Sequence, residues 1–169
     1  MKELHCPNCG TPFVRVTYQE GRVERLLSRV NIFPFRCQLC TNRFRAFYAG
    51  AHHHTQASDR RQYTRLTASI EAQVLDRNQP TVTNRITDIS MDGCTLQTTG
   101  FPKGAVIELV LKPTVEEETI RIARAMVCSV RPLSIGIRFL EIPPEHYRRL
   151  AQVVLGLLVG QGLELTLNA

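Results

Sequence analysis

The sequence predicts a mainly β protein: a six-stranded antiparallel barrel with a C-terminal helix, preceded by a small cysteine-rich module. Two Cys-x-x-Cys pairs within the first 40 residues indicate the module. Six runs of alternating apolar and polar residues beyond residue 66 indicate the barrel. The length of 169 residues suits one ordinary domain plus such a module. We therefore divide the chain into a module of residues 1–50, a linker of residues 51–58 and a larger domain of residues 59–169.

The composition is that of a globular protein, with 43% hydrophobic and 21% charged residues. The N-terminus lacks the apolar segment of a signal peptide, and no run reaches the roughly 18 apolar residues of a membrane-spanning helix. Six cysteines in such a chain favour free or metal-bound thiols over disulfides. We expect a cytoplasmic protein without a membrane span.

The two cysteine pairs, Cys6 with Cys9 and Cys37 with Cys40, are separated by 27 residues. Each pair can direct two thiolates at one ion, and four thiolates in tetrahedral arrangement suit zinc. A module of about 50 residues also buries too little apolar surface to fold without such support. The sequence therefore predicts a zinc ribbon, with iron or two metal-free redox motifs as the alternatives.

Within this module the pattern predicts two strands, at residues 13–18 and 44–48, and a short helix between them. The apolar residues at helical spacing, all on one face, are Val23, Leu26, Leu27 and Val30. The arginines on the flank of that face are Arg22, Arg25 and Arg29. The expected core around the metal consists of Phe33, Phe35, Phe44 and Phe47. Residues 1–50 carry a net charge of +5 out of +6 for the whole chain, so the module favours acidic partners, either protein or nucleic acid.

In the larger domain, period-two runs predict strands at residues 67–76, 81–89, 94–98, 106–111, 120–130 and 134–139. Their hairpin-like connections favour a small antiparallel barrel, whose closure removes exposed sheet edges. Pro143 and Pro144 then signal a helix start. We expect the helix to stop at residues 160–162, and residues 163–167 to form a last strand or a tail that pairs with another chain.

Two short motifs lie at the start of this domain. The first places Arg61 and Arg65 four residues apart with Arg60 beside them, and guanidinium groups suit phosphate oxygens and the acceptor edge of guanine. The second is a strand end that turns sharply, with Asp88 as an acceptor and Gly93 as a point of close backbone approach. Together they could hold a small anionic nucleotide.

The pattern of Arg61-x-x-x-Arg65 followed by Asp88-x-Ser90-x-x-Gly93 resembles the PilZ domain family, bacterial receptors for cyclic di-GMP. The resemblance extends over the barrel region and does not include the zinc ribbon. It implies that the segment with the arginines wraps over the ligand and that the Asp88 turn forms the floor of the site.

The resemblance also implies a role for each residue. Arg61 and Arg65 donate to phosphate oxygens or to O6 and N7 of guanine, and Asp88 accepts from the guanine N1–H and amine. Ser90 contacts a base edge or a phosphate. The two remaining residues of the predicted ligand site are Gly93, which permits close approach, and Arg60, which adds charge or stacks on a base.

Two functions remain open from the sequence. The first is a cyclic di-GMP receptor that passes ligand binding to a protein partner by ordering the linker between its domains. The second is a zinc-ribbon adaptor for nucleic acid or protein, in which the barrel is a scaffold. We expect no enzymatic activity, because His146 lies away from both motifs and no Gly-rich phosphate loop is present. The consecutive histidines at positions 52–54 cannot easily converge on one ion, so we assign them to the linker.

Overall fold

The structure is a computed structural model that describes residues 4–48, 62–75, 82–113 and 118–167. The chain forms two compact units, Met1–Thr64 and Arg65–Ala169. The predicted linker, including the three histidines, lies outside the described residues.

The first unit is built on a three-stranded antiparallel sheet of β1 (Val14–Val16), β2 (Ile32–Cys37) and β3 (Arg43–Phe47), with β2 in the centre. A short helix, α1 (Gly21–Ser28), connects β1 to β2. The sequence pattern predicted β1, α1 and β3 but missed β2. A proline in the middle of a run argues against a central strand, and Pro34 lies at the middle of β2.

The apolar core of this unit is small. Phe33 and Phe35 are buried, and the Phe44 ring stacks on Phe35 at a centroid distance of 5.9 Å. The expectation for Phe47 is wrong, because its side chain is 67% exposed. Side chains alternate along a strand, so Phe44 faces the core and Phe47, three residues later, faces away.

A buried carboxylate organises the outer part of the first unit. Glu24 of α1 is only 1% exposed, and both of its oxygens accept hydrogen bonds from Arg43 on β3, at 2.8 and 2.7 Å. Arg45 adds a contact at 3.2 Å, and the Glu20 backbone N–H donates at 2.6 Å. Burial alone raises the pKa of Glu24, but the hydrogen bonds from Arg43 and Glu20 outweigh it and leave the pKa below its usual value.

The orientation of α1 follows from this carboxylate. With 3.6 residues per turn, Leu26 lies on the side of the helix away from Glu24. Val23 and Leu26 therefore lie together on one side of α1 but are each 65% exposed, and Val30, which lies beyond the helix end at Ser28, is 58% exposed. The apolar stripe predicted from the sequence faces outward, and the acidic residue faces inward.

The second unit is a closed antiparallel barrel of six strands: β4 (Leu66–Leu75), β5 (Val82–Ile89), β6 (Gly93–Gln97), β7 (Val106–Lys112), β8 (Ile120–Val130) and β9 (Ile135–Glu141). The strands close in the order β4-β5-β6-β9-β8-β7. The interior is filled by inward-facing aliphatic side chains such as Ile86, Leu96, Leu109 and Ile122, each fully buried. The predicted fold class, a six-stranded barrel followed by a helix, is confirmed.

The C-terminal helix, α2, spans Pro144–Leu167 and buries Leu150 and Val154. The expected stop at residues 160–162 is wrong, and so is the expected strand or tail at residues 163–167. A single glycine in a helix interior costs only about 1 kcal/mol relative to alanine, so neighbouring residues with good helix propensity can carry the helix through it.

Replacing Glu24 with Gln should destabilise the first unit by about 3–5 kcal/mol, the range for removing one partner of a buried ion pair. Because the pKa of Glu24 is lowered, its stabilisation is complete above the ordinary carboxyl pKa of about 4.3 and is lost as the pH falls through the lowered value. Hydrogen exchange of peptides covering residues 20–48 at pH 7 measures the loss. The matched control is Glu20→Gln, since Glu20 is 59% exposed and lies 4.0 Å from Arg43. Equal effects of the two variants would contradict the assignment.

Candidate functional site

The described part of the arginine motif lies where the chain enters β4. Leu66 points into the core and is 1% exposed, so its neighbour Arg65 points outward. The Arg65 Nη1 atom donates to Oδ1 of Asp88 at 3.1 Å and to the Thr95 hydroxyl oxygen at 2.9 Å. Arg65 of the first motif is therefore joined to Asp88 of the second by a direct hydrogen bond in the folded barrel.

Strand register explains why these side chains meet. Asp88 is directly opposite Thr67 on β4 and Thr95 on β6, and directly opposed residues share a face of the sheet. A register shift between Ile86 and Asp88 interrupts the alternation of β5. As a result Ile86 and Ile89 are both fully buried while Asp88 faces outward.

The turn between β5 and β6 is closed by Ser90. Its backbone N–H donates to the carbonyl of Gly93 at 2.9 Å, and its hydroxyl donates to the same oxygen at 3.2 Å. The hydroxyl also accepts from the Asp92 backbone N–H at 3.4 Å, and the side chain is 6% exposed. In this conformation the Ser90 hydroxyl holds the turn that follows Asp88, so it positions the floor of the candidate site.

Gly93 is required by the packing of β6 on β9. A Cβ atom built on Gly93 would overlap the carbonyl oxygen of Ile137, which is backbone and cannot move aside as a side chain can. The close backbone approach expected at Gly93 is present, but the approaching group is the neighbouring strand.

Two predicted site residues, Arg60 and Arg61, lie outside the described residues. One participant was missed: Thr95, which accepts from Arg65 and is 6% exposed. Only the pairing of β5 with β6 could have indicated Thr95, because Thr95 lies directly opposite Asp88 in that pairing. The barrel also carries a separate groove of about 540 Å³ between β4 and α2, lined in part by Ser69, Arg149 and Gln152.

The four predicted metal ligands do come together in the first unit. The sulfur atoms of Cys6, Cys9, Cys37 and Cys40 all lie within 4.8 Å of one another. The Sγ–Sγ distances are 3.5 Å for Cys6 and Cys40 and 3.6 Å for Cys9 and Cys37. Tetrahedral coordination with bonds of about 2.3 Å requires sulfur separations of about 3.8 Å, so the cluster fits a four-coordinate ion.

The two cysteine pairs have the same arrangement of backbone hydrogen bonds and turns. The N–H of Cys6 donates to the carbonyl of Thr11 and the N–H of Cys37 to that of Asn42, both five residues ahead and both at 2.9 Å. Gly10 and Thr41 each follow the second cysteine of a pair and have positive φ, 73° and 60°. Positive φ is unfavourable for a β-branched residue such as Thr41, so the tight turn at the second pair is held by its surroundings.

Burial and hydrogen bonds shift the pKa values of three of the clustered thiols. Burial raises the pKa of the Cys37 thiol to about 12, and burial likewise raises the pKa of Cys9. For Cys40 burial acts in the same direction, but hydrogen bonds from Asn8 and the Asn42 backbone lower its pKa to about 7. A bound divalent cation would favour the thiolate forms of Cys9 and Cys37, which burial disfavours.

The residues immediately before Arg65 belong to the first unit and are bound to its second cysteine turn. Gln38, between Cys37 and Cys40, accepts from the Thr64 backbone N–H at 2.7 Å and donates to the Gln62 carbonyl at 3.2 Å. Gln38 is only 6% exposed. Residues 62–64 are thus anchored by the same turn that supplies two of the clustered cysteines.

Tyr63 and Thr64 strengthen this attachment. Arg36 donates to the Tyr63 hydroxyl at 3.2 Å, and its guanidinium lies 5.6 Å from the centre of the ring. Arg15 donates to the Thr64 hydroxyl at 3.2 Å. Tyr63 is 8% exposed, so the segment that leads into Arg65 is packed as well as hydrogen-bonded.

Comparison with solved structures identifies the class of fold. The chain resembles the PilZ domain of YcgR from Escherichia coli with c-di-GMP, with 18% identity and a TM-score of 0.51 over 64% of this chain and 98% of that one. It also resembles YcgR from Escherichia coli in complex with c-di-GMP, with 15% identity and a TM-score of 0.55 over 90% and 77%. For MrkH of K. pneumonia in its apo state the identity is 18% and the TM-score 0.53, over 79% and 72%. These likenesses show a shared fold.

The family model of the PilZ domain matches residues 59–156, more than half of the chain. The chain therefore belongs to the PilZ domain family. No curated protein matches it. Within the part of the chain that the structure describes, no helix is both long enough and apolar enough to cross a membrane.

Replacing Gly93 with Ala should destabilise the barrel by about 1–3 kcal/mol, because the added methyl group must displace the backbone of β9. Urea unfolding measures the change. The matched control is Gly156→Ala in α2, where a Cβ would meet no atom within 4 Å, and alanine should stabilise the helix by up to about 1 kcal/mol. If Gly93→Ala is as stable as the original protein, the steric account of Gly93 is wrong.

Proposed function

We propose that this protein is a receptor for cyclic di-GMP, which it binds through Arg61, Arg65 and Asp88 on the PilZ barrel. The observation that carries the proposal is the direct linkage of Arg65 to Asp88 and Thr95, since it supports a shared role for Arg65 of the first motif and Asp88 of the second. The resemblance of the motifs to those of the PilZ family supports cyclic di-GMP as the ligand.

The Arg65–Asp88 pair is suited to open for a ligand. The side chains are 38% and 27% exposed, and ion pairs at such exposure contribute about 0–1 kcal/mol. A charge-assisted hydrogen bond to phosphate contributes about 1.5–3 kcal/mol, so exchange of Asp88 for a phosphate oxygen is favourable. Released Asp88 then accepts from the N1–H and amine of guanine, which adenine does not offer in the same arrangement.

The remaining members of the site have supporting roles. Arg60 and Arg61 supply further positive charge for the two phosphates, and Arg60 stacks on a base or adds charge alone. Ser90 and Gly93 keep the turn after Asp88 in place through the hydrogen bonds of Ser90 and the tight packing of Gly93 on β9. No acid–base pair or nucleophile is needed for this function, and we propose none.

We further propose that Cys6, Cys9, Cys37 and Cys40 hold a structural zinc ion. The sulfur separations fit its tetrahedral geometry, and the ion would compensate the charge of four thiolates, two of which, those of Cys6 and Cys37, are buried. Reduced thiols of this kind are consistent with a cytoplasmic receptor.

Transmission to a protein partner would run through the segment before Arg65. Residues 62–64 are bound to the cysteine turn of the first unit, and the next residue, Arg65, is bound to Asp88 in the second. We propose that the ligand, by holding Arg61 and Arg65 together, orders the interdomain segment and alters the environment of Gln38. The alternative, an adaptor in which the barrel is only a scaffold, does not explain why the barrel keeps the linked Arg65 and Asp88.

Calorimetric titration with cyclic di-GMP tests the receptor. Arg65→Ala and Arg61→Ala should each weaken binding by about 1.5–3 kcal/mol, the contribution of a charge-assisted hydrogen bond. Asp88→Ala should weaken it too and should reduce selectivity over cyclic di-AMP. The matched control, Arg131→Ala on the exposed connection between β8 and β9, should bind normally. An Arg61 and Arg65 double variant with unchanged affinity would refute the site.

The zinc proposal predicts one equivalent of zinc per chain. It also predicts that replacing one of the four zinc-binding cysteines unfolds the first unit and leaves the barrel folded. Structural zinc in small modules contributes on the order of 10 kcal/mol or more. Cys37→Ser should therefore abolish protection of residues 4–48 in hydrogen exchange while the barrel stays folded. Cys128→Ser, an exposed cysteine outside the cluster, is the control. A first unit that stays folded after complete chelation would exclude a structural metal.

Transmission predicts that saturating cyclic di-GMP slows hydrogen exchange at residues 62–66 and changes it at residues 36–42. In Gln38→Ala the response at residues 36–42 should disappear, whereas affinity for the ligand should change by less than about threefold, because Gln38 does not contact Asp88 or Arg65. Normal ligand binding with no response at residues 36–42 in the original protein would reject transmission and leave the receptor intact.

A further inference from the structure

The exposed face of α1 is an apolar surface that the fold of the first unit does not use. Val23 and Leu26 are each 65% exposed and are three residues apart, so they are neighbours on one side of the helix, and Val30 in the turn just after α1 is 58% exposed. Single exposed aliphatic residues are ordinary, but a contiguous group of them indicates an interaction site.

This exposure is built into the helix. The buried position of α1 is taken by Glu24, which Arg43 and Arg45 hold from β3. Turning the helix to bury Leu26 would bring Glu24 to the surface and leave the two guanidinium groups without their shared carboxylate. The buried ion cluster therefore fixes the apolar stripe outward.

Positively charged side chains border the apolar stripe along one side. At 100° per residue, Arg22, Arg25 and Arg29 lie together along one border of the stripe, and all three are exposed. Glu24, the acidic residue of α1, is buried beneath the helix and neutralised. In the described chain no acidic side chain forms an ion pair with these three arginines.

We propose that this face of α1 is a docking surface for a protein that presents an apolar groove bordered on one side by Asp and Glu carboxylates. Helix-in-groove recognition uses apolar anchors at i and i+3, the spacing of Val23 and Leu26 on α1, and Val30 adds an exposed aliphatic side chain just after the helix. The arginine border supplies orientation and partner choice through charge complementarity. The proposal rests on the first unit alone and is independent of cyclic di-GMP binding.

Two other classes of partner fit less well. Aliphatic side chains have no aromatic face on which a base can stack, so a nucleic acid would engage the arginines and leave the stripe exposed. Helices that lie on membranes are commonly longer and anchored by aromatic residues, whereas α1 has eight residues and none of them is aromatic.

Site-specific photocrosslinking in the native host tests the proposal. A benzophenone amino acid replaces Leu26 in the full chain, and the control position is Leu133, which is 80% exposed on the barrel. We expect an adduct specific to position 26, mapped by mass spectrometry to an apolar segment with nearby Asp or Glu in one protein. That protein is then purified and its binding to the chain is measured directly.

With the purified partner, Leu26→Ser should weaken binding at least tenfold, and Leu133→Ser should leave it unchanged. Arg25→Ser combined with Arg29→Ser should weaken binding and reduce its dependence on salt. Because Leu26 is 65% exposed, its replacement leaves the fold intact, which hydrogen exchange of residues 20–48 verifies. The proposal is overturned if position 26 gives no adduct above the Leu133 control. It is equally overturned by an adduct to nucleic acid, lipid, a second copy or the chain's own barrel, or by a purified partner that binds Leu26→Ser normally.

Discussion

The point at which the alternation of β5 is interrupted decides which of its side chains fill the barrel and which face outward. A strand that kept strict alternation could place Ile86 in the core only by directing Asp88 inward as well. The register shift between Ile86 and Asp88 releases that constraint, so Ile86 and Ile89 fill the interior while Asp88 turns outward to Arg65. The same register shift therefore places Ile86 and Ile89 in the core and Asp88 in the candidate ligand site.

The first unit is constrained differently, because it has few apolar side chains with which to form a core. Its core consists of three buried hydrophobic residues on the sheet with partly buried ones around them, so much of its stability must come from elsewhere. The four-cysteine cluster fixes one end, and the carboxylate of Glu24 between Arg43 and Arg45 fixes the helix. Because this polar cluster occupies the inward side of α1, the apolar side chains of that helix are free to serve recognition.

Much of the fold could be predicted from the sequence, because six alternating runs with short connections have few ways to bury their apolar faces. The periodicity of apolar residues shows which side chains share a face of an element, but it does not show which face is buried. It found that Val23 and Leu26 share a face, but it could not tell that the core side of the helix belongs to Glu24. The helix stop expected at Gly160 was wrong because a local glycine penalty is small against a long helix. Asp88 and Ser90 were found from the motif alone, whereas Thr95 depends on register across strands.

The attachment of residues 62–64 to Gln38 bears on how the two modules can be separated. By sequence the barrel domain begins near residue 59, whereas by contacts the chain changes units between Thr64 and Arg65. A barrel excised at the sequence boundary would carry Tyr63 and the Thr64 amide without the groups that cover and bond them. The residues between Arg61 and Arg65 are held by the first unit, so a barrel produced without that unit would lose the support of its arginine segment.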